Sequence, residues 1–243
     1  MDPRLKEIVE NFDKKKIGLD DTFIFHCTEC GKCCTEREDI LLTARDVYKM
    51  SKELGMEPLE MVQTYCEVYI GQDSRIPLIR IMPRGTIRRC PLMKDRKCSV
   101  HRAKPLVCAM FPLGRVIAYR KNEFGIGTLR ESGIQYIYTK PNCGDDSETF
   151  TVREYLESFG IPVDDEYFFS WQEMVSEVSM FFKKHEKKLD SDLLEKLRLV
   201  VMLGIYMKYD TAKPFTEQFE ANKKEVLETI RVFRDGKSEL TSA

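Results

Sequence analysis

Four cysteines fall within eight positions in the run CTECGKCC: Cys27, Cys30, Cys33 and Cys34. Five more follow at Cys66, Cys90, Cys98, Cys108 and Cys143. A chain of 243 residues can bury a hydrophobic core without covalent staples, so thiols at C-x-x-C spacing point to metal ligation before a disulfide framework. The odd total of nine would also leave one thiol over from a complete internal pairing. The opening stretch MDPRLKEIVENFDKKK has no apolar h-region, and the longest apolar stretch, residues 199–207, is too short to cross a bilayer. A reducing, cytoplasmic setting without membrane association is therefore expected.

A C-x-x-C turn can bring two sulfurs onto one metal, and a third at the same interval makes a nearly closed nest. The run C-x-x-C-x-x-C also has the spacing of bacterial-type ferredoxins, where a distant cysteine followed by proline completes the cube. Here Cys90 is followed by Pro91. Cys34, directly after Cys33, departs from that spacing. Neighbouring residues on extended backbone point to opposite sides, so the pair reads as ligands to two sites, or as one ligand beside one packed thiol. A regulatory disulfide between them is another arrangement. Leaving out Cys66, read as a buried thiol on a helix, eight cysteines would supply two four-sulfur centres. The expected partition is Cys27, Cys30, Cys33 and Cys90 on one, with Cys34, Cys98, Cys108 and Cys143 near it. His26 and His101 are weighed as hydrogen-bond donors to sulfur ahead of ligands.

The net charge of −1 conceals an asymmetry: residues 75–121 carry thirteen Lys or Arg and one acid, Asp95, leaving −13 for the remainder. Two four-thiolate centres would absorb only about 4 of those 12 surplus charges. The excess is read either as a solvated face or as a surface for an anionic partner: an acidic protein first, or another anionic ligand such as a phosphate-bearing small molecule, with a nucleic acid after these.

Periodicity predicts an amphipathic helix over residues 1–16, a helix from the Thr43/Asp46 capping box to Gly55, another from Pro58 to Cys66, and a hairpin within 67–82. Short strands are expected at 116–119 and 135–139. The prolines between 83 and 115 predict loops held by something other than a regular ladder. Beyond the Thr151/Glu154 capping box, three helices are expected. Their stripes are Phe168-Trp171-Val175-Val178-Phe182, Leu193-Leu197-Val200-Gly204-Met207 and Phe219-Val226-Ile230-Phe233, with fraying from Asp235. The fold class is α+β: a small irregular cysteine-rich core over residues 1–160, followed by a helical region over 161–243.

The ordered segments FHCTECGKCC, CPLMKDRKCSVHRAKPLVCAMFP and PNCG followed by TVREYL resemble the YkgJ-type cysteine-cluster family, described as a zinc- or iron-chelating domain. Cys27, Cys30, Gly31, Cys33, Cys34, Cys90, Pro91, Cys98, Val100, His101, Pro105, Cys108, Phe111, Pro112 and Cys143 stand at its motif positions. Lys104, Ala109 and Gly144 depart from its usual pattern. The resemblance implies a metal site built from the eight cysteines. The first reading is a non-catalytic iron–sulfur protein holding [4Fe-4S] clusters for electron transfer, metal handling or maturation of another enzyme. Zinc is the alternative. Flagellin lysine-N-methylases bear a related cluster, which keeps an enzyme reading open. No nucleotide-binding glycine loop accompanies it, since Gly125-Ile126-Gly127 alone is weak. A nucleic-acid-binding zinc module would need finger spacing that the chain lacks.

Overall fold

The computed structural model describes residues 10–35, 40–117, 121–122, 125–126, 130 and 133–240. A short helix α1 (Phe12–Lys15) gives way to strand β1 (Lys16–Ile17), and β2 (Thr22–His26) enters the first cysteine loop. Helix α2 (Ala44–Leu54) and α3 (Pro58–Tyr65) precede the hairpin β3 (Cys66–Ile70) and β4 (Pro77–Ile81). A tight hairpin of β5 (Met93–Lys94) and β6 (Lys97–Cys98) follows, then a four-residue helix α4 (Leu106–Ala109). Strand β7 (Leu113–Ile117) pairs with β10 (Ile134–Tyr138), which also takes β1, giving a three-stranded antiparallel sheet. The minimal pair β8 (Lys121–Asn122) and β9 (Gly125–Ile126) lies between them in sequence. Strand β11 (Asp145–Thr151) pairs with β2 and leads into α5 (Val152–Ser158). Helices α6 (Glu166–His185), α7 (Ser191–Met202) and α8 (Phe215–Leu240) complete the α+β fold. Among the described residues no helix is long and apolar enough to cross a membrane.

Local chemistry accounts for most of these boundaries. The Thr43 hydroxyl accepts the Asp46 N–H while Asp46 takes the Thr43 N–H at 2.8 Å, and Thr151 and Glu154 repeat the reciprocal box at α5. Such caps satisfy amide donors that the first helical turn leaves free. Asp190 caps α7 through the Leu193 N–H at 2.9 Å. In β2, alternation turns Phe23 and Phe25 inward and Thr22 and Ile24 outward, as the two-residue period of a strand requires.

Two hydrophobic cores result. The smaller joins Phe23, Phe25, Leu113, Tyr136, Tyr155 and Leu156 around the sheets. The larger spans α2, α3, the β3–β4 hairpin and helices α6–α8, so it includes residues on both sides of position 160. Between them lies Asp165. Its carboxylate meets Arg115 Nη1 of β7 and Arg45 Nη2 of α2, each at 3.0 Å, and accepts the Phe168 N–H at the start of α6. The side chains of Asp165 and Arg115 are each only 2% exposed, so this is a buried pair and not a surface one. The guanidinium of Arg115 lies 3.7 Å over the Phe168 ring, and that of Arg45 3.8 Å over Tyr167.

Several expectations are refined. The N-terminal helix stops at Lys15, where Lys16 and Ile17 join the sheet; its residues 1–9 fall outside the described residues. Cys66 ends α3 and opens β3, because its N–H closes the last helical turn onto Val62 while its own backbone is extended. The Leu193–Met207 stripe shifts: Val200 is exposed and Val201 buried. A π-helical turn over Leu203–Met207 then inserts an extra residue, turning both Ile205 and Tyr206 inward. Helix α8 continues past Asp235 to Leu240. The strand expected at 116–119 is β7, ending at Ile117, and residues 118–119 fall outside the described residues.

Removing one member of a buried ion pair strands the other charge. Asp165→Asn should therefore cost about 3–5 kcal/mol of stability. The matched change Asp146→Asn in the exposed Lys140–Asp146 pair should cost roughly 0–1 kcal/mol. Urea unfolding of the two variants measures the difference.

Candidate metal centre

Strand pairing assembles the first half of the site. Strand β2 ends at His26 and delivers Cys27; β11 begins at Asp145, immediately after Cys143 and Gly144. The register sets Asp145 opposite His26, which places the two cysteine segments at the same end of this pair. Gly144 makes the approach possible. It has φ 76°, and a Cβ there would stand 2.4 Å from the His26 carbonyl oxygen. Gly31, at φ 73°, opens the 3₁₀ turn Lys32–Cys34, whose Cys34 N–H donates to the Gly31 carbonyl at 3.0 Å.

The second half comes from the proline-rich segment. The Cys90 N–H donates to the Cys34 carbonyl at 2.8 Å, tying the two cysteine segments together by backbone. The β5–β6 turn places Asp95 and Arg96 at positive φ and pairs Met93 with Cys98, bringing Cys98 back alongside Cys90. This two-residue turn with both φ values positive matches the twist of the flanking strands. Cys108 rides on α4, whose Leu106 N–H is held at 2.8 Å by the buried Asp46 carboxylate of α2.

As a result Cys27, Cys30, Cys33, Cys34, Cys90, Cys98, Cys108 and Cys143 all line one cavity of about 100 Å³. Phe25, Leu92, Val100, Phe111, Tyr155 and Phe159 supply apolar walls. None of the nine cysteines is in a disulfide; Cys27 and Cys30 are exposed and the other six at the cavity half-buried. Cys66 is packed in the larger hydrophobic core instead, where burial pushes its thiol up to about 12. Among the described residues, no three His, Cys, Asp or Glu side chains converge on a single ion position.

Cys33 and Cys34 do not follow the extended-backbone expectation. The 3₁₀ turn carries both, and their sulfurs lie 4.0 Å apart on the same side. Two thiolates of a tetrahedral zinc site with 2.3 Å bonds stand about 3.8 Å apart. Of the two histidines weighed as neighbours, His26 turns to Asp145 and Ser147, at 3.1 and 3.0 Å, whereas His101 lines the cavity. Gly144, noticeable in the sequence only as a departure from a motif, is the residue on which the Cys143 approach depends. The aromatic wall from α5 carried no local signal, because only tertiary packing brings Tyr155 and Phe159 to the thiols.

The thiols differ in how readily they ionise. The backbone N–H of Lys32, helped by that of Gly144, lowers the pKa of Cys30. The Cys33 contact and burial raise Cys34, while burial raises Cys90 and Cys98. Burial, with the like charges of Cys33, Cys30 and Cys27, pushes Cys143 up to about 11. The charges that oppose ionisation of Cys34 are those of Cys33, Cys90 and Cys108, and for Cys90 they are those of Cys98 and Cys33. Cys33 is common to both halves of the site: its charge opposes ionisation of Cys34, Cys90, Cys98 and Cys143 alike.

Free soft donors around a half-enclosed, largely apolar cavity are chemically suited to zinc or an iron–sulfur cluster. Gly144→Ala should displace Cys143 from this wall. Bound metal per chain, measured by plasma emission, should fall, while Gly85→Ala, where an added Cβ meets nothing within 4 Å, should leave it unchanged.

Residues 26–132 match the family CxxCxxCC, described as "Putative zinc- or iron-chelating domain". No curated protein and no solved structure matches the chain. The matched span holds seven of the eight cavity cysteines, and Cys143 joins them from beyond it. Over residues 26–132 the chain is therefore similar to the CxxCxxCC family.

Proposed function

We propose that the protein is an iron–sulfur protein that exchanges electrons with an acidic partner protein. The observation that carries this reading is the ring of eight thiols around one cavity of about 100 Å³. Sulfurs spread around a void suit a cluster that brings its own bridging sulfides better than a bare ion, which needs its ligands already drawn together. One centre is assigned to Cys27, Cys30, Cys33 and Cys143, since the β2–β11 register draws Cys27 and Cys143 to one end. The other is assigned to Cys34, Cys90, Cys98 and Cys108, since a backbone bond joins Cys34 to Cys90 and the β5–β6 turn returns Cys98. Cys90 and Cys143 thus exchange places relative to the expected partition. The exposed Cys27 and Cys30 put the first near the surface. Arg96, His101 and Lys104 line the same cavity, which supports docking of an acidic surface there, weakened by added salt. A second reading, zinc at the vicinal pair, draws on the 4.0 Å sulfur separation of Cys33 and Cys34.

Anaerobically purified protein should absorb broadly near ~400 nm and contain matching iron and acid-labile sulfide. Colourless protein with tightly held zinc would favour the second reading. The partition has its own test. Cys27→Ser and Cys143→Ser should each remove the same centre, so that the double variant loses no more metal than either single one. Cys27→Ser with Cys90→Ser should lose both centres.

Metal loading should also be proton-linked. Burial raises Cys90, Cys98 and Cys143 above the usual thiol value, so in the metal-free protein they hold their protons at neutral pH. Ligation releases those protons, so affinity should rise as pH increases from 6 to 8. Competition against a chelator at several pH values gives the slope, and a flat profile would contradict ligation by these thiols.

A further inference from the structure

A second cavity adjoins the cysteine site and shares His101, Lys104 and Phe159 with it. It measures about 50 Å³ and brings together Arg45 and Lys49 of α2, Arg102 of the 3₁₀ turn His101–Ala103, and the following Lys104. We propose that this pocket binds a phosphoryl group, as free phosphate or as the head of a small phosphate monoester.

Four cations face one carboxylate there, that of Asp46. Asp46 does not neutralise the pocket by contact, because its oxygens are taken by the Thr43 N–H, the Thr43 hydroxyl and the Leu106 N–H, each at 2.8 Å. Arg45 is held in place by Asp165 and by the Tyr167 ring beneath it. Lys49, Arg102 and Lys104 have no carboxylate partner among the described residues. They approach from a helix, a turn and a loop. Such convergence suits a tetrahedral dianion with several acceptor oxygens, whereas a planar carboxylate is matched by one bidentate partner. A cavity of about 50 Å³ holds a few waters' worth of volume, enough for one oxyanion group and too little for a polyanion chain.

This inference does not depend on which metal the cysteines hold. Calorimetric titration of the full chain, metal-loaded and metal-free, with inorganic phosphate, phenyl phosphate and acetate tests it. Saturable binding of phosphate, with acetate failing to compete, is expected. Tighter binding of phenyl phosphate would identify a monoester, and equal binding the free ion. The double variant Lys49→Gln/Arg102→Gln should weaken phosphate binding at least about tenfold. The charge-retaining Lys49→Arg/Arg102→Lys should keep most of it, and Lys224→Gln on α8 should change nothing. Metal content should be unaltered throughout, which separates failure here from failure of the iron–sulfur reading. Absence of saturable phosphate binding, equal competition by acetate, or full binding by the Gln variant would overturn the assignment.

Discussion

The carboxylate of Asp165 is where the fold is tied together. It receives two arginines, one from the α2 helix and one from β7, and caps α6 with the same oxygens. With Asp165 and Arg115 almost wholly buried, burial costs both charges several kcal/mol, which only good geometry and further hydrogen bonds offset. That geometry then constrains the neighbours. Arg45 anchors α2, and the next residue, Asp46, holds the Leu106 N–H and with it the turn that carries Cys108. A charge pair outside the thiol cavity is thus linked, through α2 and Asp46, to the turn that carries one of the thiols. Among the described residues, Arg115 Nε and Nη2 and the facing Tyr136 hydroxyl have no hydrogen-bond partner, so the pairing with Asp165 is the main compensation found there for Arg115.

The site itself is built by backbone more than by side chains. An antiparallel pair brings Cys27 toward Cys143, a single hydrogen bond joins Cys34 to Cys90, and a two-residue hairpin returns Cys98. None of these links uses a cysteine side chain. The thiols therefore face inward, with apolar walls behind them supplied by both cores. Edge-to-face contacts of Phe25 with Phe111 and Tyr155, at 5.9 and 6.4 Å, stiffen that wall. A preformed cavity of this kind lowers the ordering cost of filling it, because the scaffold is ordered by its own packing.

What could be read in the sequence was whatever local chemistry decides. The capping boxes at Thr43 and Thr151, the β3–β4 hairpin and the stripe along α6 depend on residues three or four apart, or on a single turn. The boundary at Cys66 and the inward turn of Val201 depend on which tertiary partner lies nearby, and sequence periodicity does not carry that. The Cys33–Cys34 geometry failed for a related reason: the extended-backbone assumption ignored Gly31, whose left-handed conformation starts a 3₁₀ turn. The +12 excess in residues 75–121 was visible, but Arg45 and Lys49 lie outside that stretch. The charged pocket they help to form could not be drawn from composition.

The same packing explains how so many thiols tolerate one another without metal. Eight thiolates around about 100 Å³ would repel strongly in a medium of reduced polarity. The Cys33 contact favours the protonated form of Cys34, and burial that of Cys90, Cys98 and Cys143, so they pack as small apolar groups. Cys30, at the exposed edge and facing the Lys32 and Gly144 amides, is shifted the other way, toward the thiolate. A bound cation reverses the interior balance, since its charge favours the very ionisations that burial opposes. The surrounding Arg96 and Lys104 then offset the excess negative charge that a four-thiolate centre retains. Burial, the glycine turns and the basic segment are in this sense parts of a single electrostatic arrangement.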